Sequence, residues 1–151
     1  MNLTPSLLLA LAPLALTGCF EKACTLIDAP SGVEITFQGA EALPAGAYVV
    51  EIDGVPCAVD LPLAEDSGAV GWVGCNPEGS HSWVELTLTD DGAGLASAYL
   101  GNGAPDPLDI SITRDGEEVH AESVAPDYAV DEPNGEGCGE RYLADVTVDL
   151  G

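Results

Sequence analysis

From about residue 32 onward, apolar and polar residues alternate with a period of two. Turn residues interrupt this alternation at intervals of about eight to twelve positions, a spacing typical of short, half-buried strands. Glycine and proline recur too often for a long helix. Outside two hairpins, the strands that this pattern predicts are Val33–Phe37, Ala69–Gly74, Trp83–Thr89, Leu95–Leu100 and Tyr142–Leu150.

The first hairpin is marked by Asp53-Gly54, because a tight type I′ turn needs positive φ at both central residues. This turn joins Ala47–Ile52 to Val55–Leu61. A two-residue turn fixes the register and puts the apolar residues of both strands on one face. The facing pairs that it predicts are Ile52 with Val55, Val50 with Cys57 and Tyr48 with Val59.

The second hairpin turns at Asp115-Gly116. The same reasoning puts Ile112 opposite Val119 and Ile110 opposite Ala121, again on one face. His120 is then expected on the solvent-facing side. The polar residues predicted to point to water with it are Asp109, Ser111, Thr113, Glu118 and Glu122.

These patterns predict an all-β fold, namely an antiparallel β-sandwich of immunoglobulin-like or transthyretin-like type. We expect about seven to nine short strands in a single domain over residues 32–151. Residues 101–107 and 131–140 are expected to be loops.

The amino-terminal segment has a different character. The apolar stretch Leu7–Leu16 is much shorter than the roughly 20 residues that a membrane-spanning helix needs. It ends in Leu16-Thr17-Gly18-Cys19, which resembles the lipobox of bacterial lipoproteins. In that family the signal is cut before the cysteine, whose thiol carries a diacylglycerol.

This resemblance implies that residues 1–18 are a signal peptide, that Cys19 is the lipidation site, and that residues 19–31 are a lipidated tether. The protein is then expected to be exported and held in the cell envelope, at the outer membrane. Its membrane contact would be made through the lipid anchor, because the two acyl chains of a diacylglycerol are enough for stable anchoring.

Acidic residues dominate the charge of the chain, with 26 Asp and Glu against 3 Lys and Arg and a formal net charge of -23. Such a surface repels phosphates, so we expect no nucleic-acid partner. Anionic lipid headgroups repel it as well. The same acidity is typical both of salt-adapted proteins and of an ordinary solubilising surface.

Four cysteines remain when Cys19 is assigned to the anchor: Cys24, Cys57, Cys75 and Cys138. An even number in an oxidising compartment favours disulfides, and three pairings are open. No pair of them shows the short spacing of a zinc knuckle.

Several short motifs resemble a group of small, cysteine-containing predicted lipoproteins of myxobacteria, which have no established activity. The motifs are Pro44-Ala45-Gly46-Ala47-Tyr48, Cys57 after Asp53-Gly54, and Pro133-Asn134-Gly135 followed by Cys138-Gly139. Members of that group often have two further cysteines, where this chain has Ala29 and Tyr142. The resemblance therefore implies the loss of one bridge, which leaves Cys24 to join Cys138.

The second predicted bridge joins Cys57 to Cys75. Cys57 faces inward in the first hairpin, and the strand ending at Cys75 can return beside it, as sequential strands usually do. Cys24 and Cys138 lie just before the first and last strands, which agrees with a bridge between them.

Ser80-His81-Ser82 is the one place where a nucleophile and a base adjoin in the sequence. Neighbouring strand residues point to opposite faces, so we interpret His81 as a solvent-exposed loop residue and assign no catalytic residue. Calcium is the one cofactor left open, with Asp90, Asp91, Asp106 and Asp109 as weak ligand candidates, because no acidic cluster has the spacing of a calcium-binding loop.

The aromatic residues Trp72, Trp83, Tyr99 and Tyr128 have two interpretations. They form an exposed platform for sugars or peptides, or they fill space in the core. The faces that they occupy distinguish the two.

The leading hypothesis from the sequence is a non-enzymatic, lipid-anchored binding or structural module with a protein or glycan ligand. A calcium-dependent adhesion module and a small hydrolase are the alternatives. The hydrolase would need a cleft that holds His81 or His120 within hydrogen-bond reach of a buried carboxylate.

Overall fold

The computed structural model describes residues 24, 28–64 and 71–151. The predicted signal peptide, Cys19, most of the tether and the start of the strand predicted at Ala69 lie outside the described residues. The described part of the chain contains no helix, and so none that could cross a membrane. Its ten strands are β1 (Gly32–Gln38), β2 (Gly46–Ile52), β3 (Val55–Leu61), β4 (Trp72–Cys75), β5 (Trp83–Leu88), β6 (Leu95–Gly101), β7 (Leu108–Arg114), β8 (Glu117–Val124), β9 (Ala129–Asp131) and β10 (Arg141–Asp149).

The strands form two sheets, of order β4-β5-β6-β1-β10-β9 and β3-β2-β7-β8. This confirms the predicted all-β sandwich. The described strands number ten rather than seven to nine, because β9 forms just before the predicted loop 131–140. One pairing departs from the antiparallel prediction: β1 and β10 run parallel, from Gly32 opposite Leu143 to Gln38 opposite Asp149.

The core between the sheets is almost entirely aliphatic. Strand alternation supplies it, as in β1, where Val33, Ile35 and Phe37 are buried while Glu34 and Thr36 are exposed. Phe37 and Tyr48 are the only buried aromatic residues in the described part of the chain. The remaining described aromatic residues must therefore lie outside the core.

The first hairpin has the predicted register. Ile52 lies opposite Val55, Val50 opposite Cys57 and Tyr48 opposite Val59, and all six are buried. Asp53 and Gly54 adopt φ values of 48° and 75°, as the tight turn requires.

The second hairpin does not have the predicted register. The turn at Asp115-Gly116 is tight, but the register shifts between Ile112 and Thr113, so that Val119 is an extra residue on β8. Ile112 therefore lies opposite His120, and Ile110 opposite Glu122. One extra residue turns every later side chain to the other face. His120 and Glu122 consequently face inward, whereas Val119, predicted to face the core, is 51% exposed.

Two disulfides hold the ends and one side of the sandwich together. They join Cys24 to Cys138 and Cys57 to Cys75, with Cα–Cα distances of 5.6 and 5.3 Å. These are the predicted pairs. The Cys57–Cys75 bridge nevertheless does not join neighbours in one sheet: β3 is an edge of the four-stranded sheet and β4 an edge of the six-stranded sheet. The bridge therefore closes one side of the sandwich.

Removing the Cys57–Cys75 bridge should lower the free energy of unfolding by up to about 3 kcal/mol. The unfolded chain gains conformational entropy when the bridge no longer closes the short loop between these two residues. The change is Cys57→Ala together with Cys75→Ala, measured by denaturant unfolding. Peptide mapping of the unreduced parent protein provides the control and should recover both bridges. A peptide linking Cys24 to Cys57 would contradict the strand order described above.

Candidate functional site

Three aromatic side chains lie on the outer face of the six-stranded sheet. In β5, Val84, Leu86 and Leu88 are buried, so Trp83 points away from the core. Trp72 in β4 is 53% exposed, and Tyr99 in β6 is half-buried on the same outer face. Their faces exclude the interpretation of these three residues as core-filling residues.

Tyr128 has a different environment. It packs against the hydrophobic core, and its hydroxyl donates a hydrogen bond to the Pro105 carbonyl at 2.7 Å. Burial raises its pKa, and the negative charges of Asp106 and Asp53 add to that shift. Tyr128 thus has a packing role and does not join the other three residues.

Each of the three outer rings lies over a glycine. A Cβ atom built on Gly101, which is directly opposite Trp83, would collide with the indole ring, and one on Gly32 would collide with the Tyr99 ring. A Cβ on Gly74 would lie 3.1 Å from the Trp72 ring. The glycines therefore let the rings lie close against the sheet. The rings of Trp83 and Tyr99 are also neighbours, with centroids 5.2 Å apart and planes tilted by 53°.

A row of carboxylates crosses the strands on the same face. Tyr99 lies between Glu85 of β5 and Glu34 of β1, and Asp145 of β10 is the next residue along the row. Neighbouring strands are about 4.8 Å apart, so the row from Glu85 to Asp145 spans about 14 Å. We call Trp72, Trp83 and Tyr99, with Glu34, Glu85 and Asp145, the aromatic face.

No basic side chain among the described residues pairs with this row. Arg141 Nε instead donates to Asp131 Oδ1 at 2.9 Å, an interaction that raises the pKa of Arg141 and lowers that of Asp131. Arg114 belongs to the other sheet. The carboxylates of the aromatic face thus lack a partner in the described chain.

The surroundings of the carboxylate row can accommodate a ligand. A second row of small hydroxyl side chains runs beside it. A surface depression of about 340 Å³ lies between Gly32, Glu34, Tyr99 and Asp145. Aromatic rings, carboxylates and hydroxyls together can stack on and hydrogen-bond a ligand. The hydroxyl residues are Thr36, Thr87, Ser97 and Thr147.

A second polar arrangement lies on the inward side of edge strand β8, where it is partly buried. His120 Nε2 is 3.5 Å from Glu122 Oε1, and both atoms are buried without a hydrogen-bond partner. His120 also lines a pocket of about 100 Å³ with Tyr48, Arg114 and Val119. The sequence prediction for His120 was wrong because the bulge at Val119 turns the side chain inward. A small hydrolase would need a histidine beside a buried carboxylate. Here the side chains of His120 and Glu122 are partly buried, at 21% and 33% exposure, and their facing atoms Nε2 and Oε1 are shielded from solvent.

The pocket that His120 lines can supply a base for catalysis. An imidazole next to a carboxylate can accept a proton from water or a hydroxyl. The described residues that line the pocket, however, include no serine, threonine or cysteine. The Tyr48 hydroxyl already donates to the Pro44 carbonyl at 2.7 Å. Among the described residues there is thus no side-chain nucleophile at this pocket, and the nucleophile of a hydrolase would have to be water.

The Ser80-His81-Ser82 segment has no such arrangement. His81 is exposed in the loop before β5, as predicted. The Ser80 hydroxyl donates to the Ser82 carbonyl at 2.7 Å, and the Ser82 hydroxyl donates to the Asn102 carbonyl at 3.3 Å. Both hydroxyls are therefore directed at the backbone rather than at the imidazole.

The calcium candidates are distributed over separate parts of the molecule. Asp91 Oδ1 accepts from the Thr89 hydroxyl at 2.7 Å and from the Ala93 N–H at 3.0 Å, which lowers the Asp91 pKa and shapes the turn before β6. Asp90 and Asp106 are exposed, and Asp109 lies in β7. Among the residues described, no three His, Cys, Asp or Glu side chains form a group that could hold a metal ion.

No family model matches the chain, and neither does any curated protein or solved structure. Its function is therefore inferred from the side chains of the aromatic face and of the pocket that His120 lines.

Replacing both His120 and Glu122 with leucine should leave the protein at least as stable as the parent. Each single leucine variant should be less stable than the double variant by about 1 kcal/mol, because it keeps one of the two shielded polar atoms and removes the 3.5 Å ion pair that this atom makes. Denaturant unfolding of the three variants gives these differences.

Val119→Ser is the control for the register of β8. This residue is exposed, so its replacement should change the free energy of unfolding by no more than about 0.5 kcal/mol. A cost for Val119→Ser above that of either single leucine variant would mean that Val119 faces the core.

Proposed function

We propose that this protein is a non-enzymatic binding module of the cell envelope, exported and lipid-anchored through Cys19. Its binding surface is the aromatic face. The observation that carries this proposal is the exposure of Trp72 and the outward position of Trp83 and Tyr99, in a protein whose core is aliphatic.

Aromatic residues are enriched where proteins bind ligands, because their rings offer large, rigid contact areas at low entropic cost. Here two tryptophans and a tyrosine occupy one side of one sheet, beside carboxylates that no described residue neutralises. A surface that served only for solubility would not need indole rings. The ligand is a protein or a glycan in contact with this face.

The anchor and the charge act together in this proposal. A diacylated Cys19 holds the chain at the outer membrane, while the net charge of -23 repels the domain from anionic headgroups. The tether would therefore present the domain away from the lipid surface. The same charge argues against nucleic acid as a partner.

A small hydrolase is the second candidate, favoured by the partly buried His120–Glu122 pair. The pair would activate water in the pocket that His120 lines. An ester- or peptide-cleaving activity that His120→Leu abolishes, without loss of the folded state, would support this candidate over the first.

Cys19→Ser tests the anchor. The substitution should abolish labelling by radioactive fatty acid and move the protein from the membrane fraction to the soluble fraction, because the acyl-bearing thiol is gone. If the variant still needs detergent for extraction, the lipoprotein assignment is wrong.

Trp72→Ser tests the binding surface in the Cys19→Ser background. The parent should co-sediment with envelope fragments of the producing cell, and Trp72→Ser should lower the retained amount several-fold. Val119→Ser is the matched control, since Val119 and Trp72 are 51% and 53% exposed on different sheets. Equal retention of the two variants would remove the aromatic face from the proposed function.

A further inference from the structure

We propose that the aromatic face binds an extended polypeptide segment rich in lysine or arginine. This inference rests on the proposed function and names the chemical class of its ligand.

The negative charge of the aromatic face is not compensated by a paired cation. Glu34 and Asp145 are directly opposite each other in the parallel β1–β10 pair, and Glu85 lies on the far side of Tyr99. Like charges directly opposite each other destabilise a sheet. Within the described residues, no hydrogen bond and no ion pair within 4 Å involves these three carboxylates. Arg141 is close enough to Tyr99 to interact with it electrostatically, but its guanidinium group is paired with Asp131. A cationic ligand would relieve this repulsion.

The faces of aromatic rings lie next to these charges. Ammonium and guanidinium groups are attracted to the faces of Trp and Tyr, and guanidinium also stacks on them. Trp83 and Tyr99 are in contact at a tilt of 53°, with Glu85 directly opposite Tyr99 on the neighbouring strand. A basic group that lies over these two rings would therefore also be close to the Glu85 carboxylate beside them.

The spacing of the carboxylates matches that of side chains along an extended polypeptide. The row from Glu85 to Asp145 crosses three strand-to-strand intervals, or about 14 Å. In an extended chain, alternate side chains on one side are about 6.7 Å apart, so those at positions i, i+2 and i+4 span about 13 Å. Three alternating basic residues therefore match the length of the row. The neighbouring hydroxyl row offers hydrogen bonds to the backbone of such a segment.

A neutral glycan would use the rings and the hydroxyls but would leave the carboxylate charge uncompensated. An acidic glycan would be repelled. Charge complementarity therefore favours the cationic polypeptide over a sugar.

Both tryptophans of the chain, Trp72 and Trp83, belong to the aromatic face, so tryptophan emission reports on this surface alone. The full chain, in a neutral detergent and about 0.15 M salt, is titrated with a seven-residue peptide that alternates arginine and serine. A saturable change in emission is expected. A peptide alternating glutamate and serine, and a neutral hexasaccharide, should cause none.

The triple variant Glu34→Gln, Glu85→Gln and Asp145→Asn should weaken binding at least about tenfold, since each exposed charge pair contributes modestly. The matched control removes the same charge from the other sheet through Glu51→Gln, Asp60→Asn and Glu117→Gln, all exposed residues. This control should change the dissociation constant by no more than about twofold. Melting curves of both triple variants verify that they are folded.

Equal weakening by the two triple variants would overturn the proposal, because it would show diffuse attraction to an acidic protein. A response to the hexasaccharide without a response to the arginine peptide would overturn it in favour of a glycan. If the peptide gives no response while Trp72→Ser still reduces retention on envelopes, the binding module stands and only its cationic ligand fails. If both experiments give no effect, the proposed function fails as well.

Discussion

Strand β1 is the element on which the rest of the structure depends. It pairs antiparallel with β6 and parallel with β10, and it alone connects β4-β5-β6 to β10-β9 within the larger sheet. Its inward residues Val33, Ile35 and Phe37 belong to the core, while Glu34 and Gly32 belong to the aromatic face or lie beneath it. The parallel pairing joins the two ends of the domain, so it closes a very long loop. The Cys24–Cys138 bridge, which also links these ends, removes up to about 4.7 kcal/mol of that entropic cost.

The composition of the core explains why the aromatic residues lie outside it. Aliphatic side chains from both sheets fill the interior, and Phe37 and Tyr48 are its only described aromatic residues. Trp83 and Tyr99 instead cover Gly101 and Gly32, whose missing side chains let the rings approach the backbone. Aromatic cover of a glycine in a sheet stabilises the strands beneath it. Stability and the proposed binding surface therefore depend on the same ring–glycine pairs.

The two hairpins show how far the sequence predicts this structure. In the first, turn chemistry and apolar alternation agree, and the register follows directly. In the second, the alternation Val119-His120-Ala121-Glu122 is equally regular, but the extra residue in β8 reverses its faces. Nothing local in the sequence marks that bulge, because the residues that the fold turns inward are the polar ones.

The aromatic face was predictable only in part. Alternation in Trp83-Val84-Glu85-Leu86 already puts Trp83 and Glu85 on one side and the aliphatic residues on the other. The row of carboxylates, however, requires the strand order β5-β6-β1-β10, which depends on pairings between distant parts of the chain. The three-residue strand β9 is too short to give a periodic signal.

The edges of the two sheets determine how a partner can approach. Exposed edges invite pairing with another chain, and proteins block them with bulges, inward-pointing charges or very short strands. Here β8 has the bulge at Val119 and the inward His120–Glu122 pair. Protection of this edge explains why polar residues occupy inward positions there. Edge strand β9 has three residues, and the Cys57–Cys75 bridge ties β3 to β4. With the edges protected in these ways, the proposed binding at the aromatic face would use side chains on the outer surface of a sheet and not the pairing of strands.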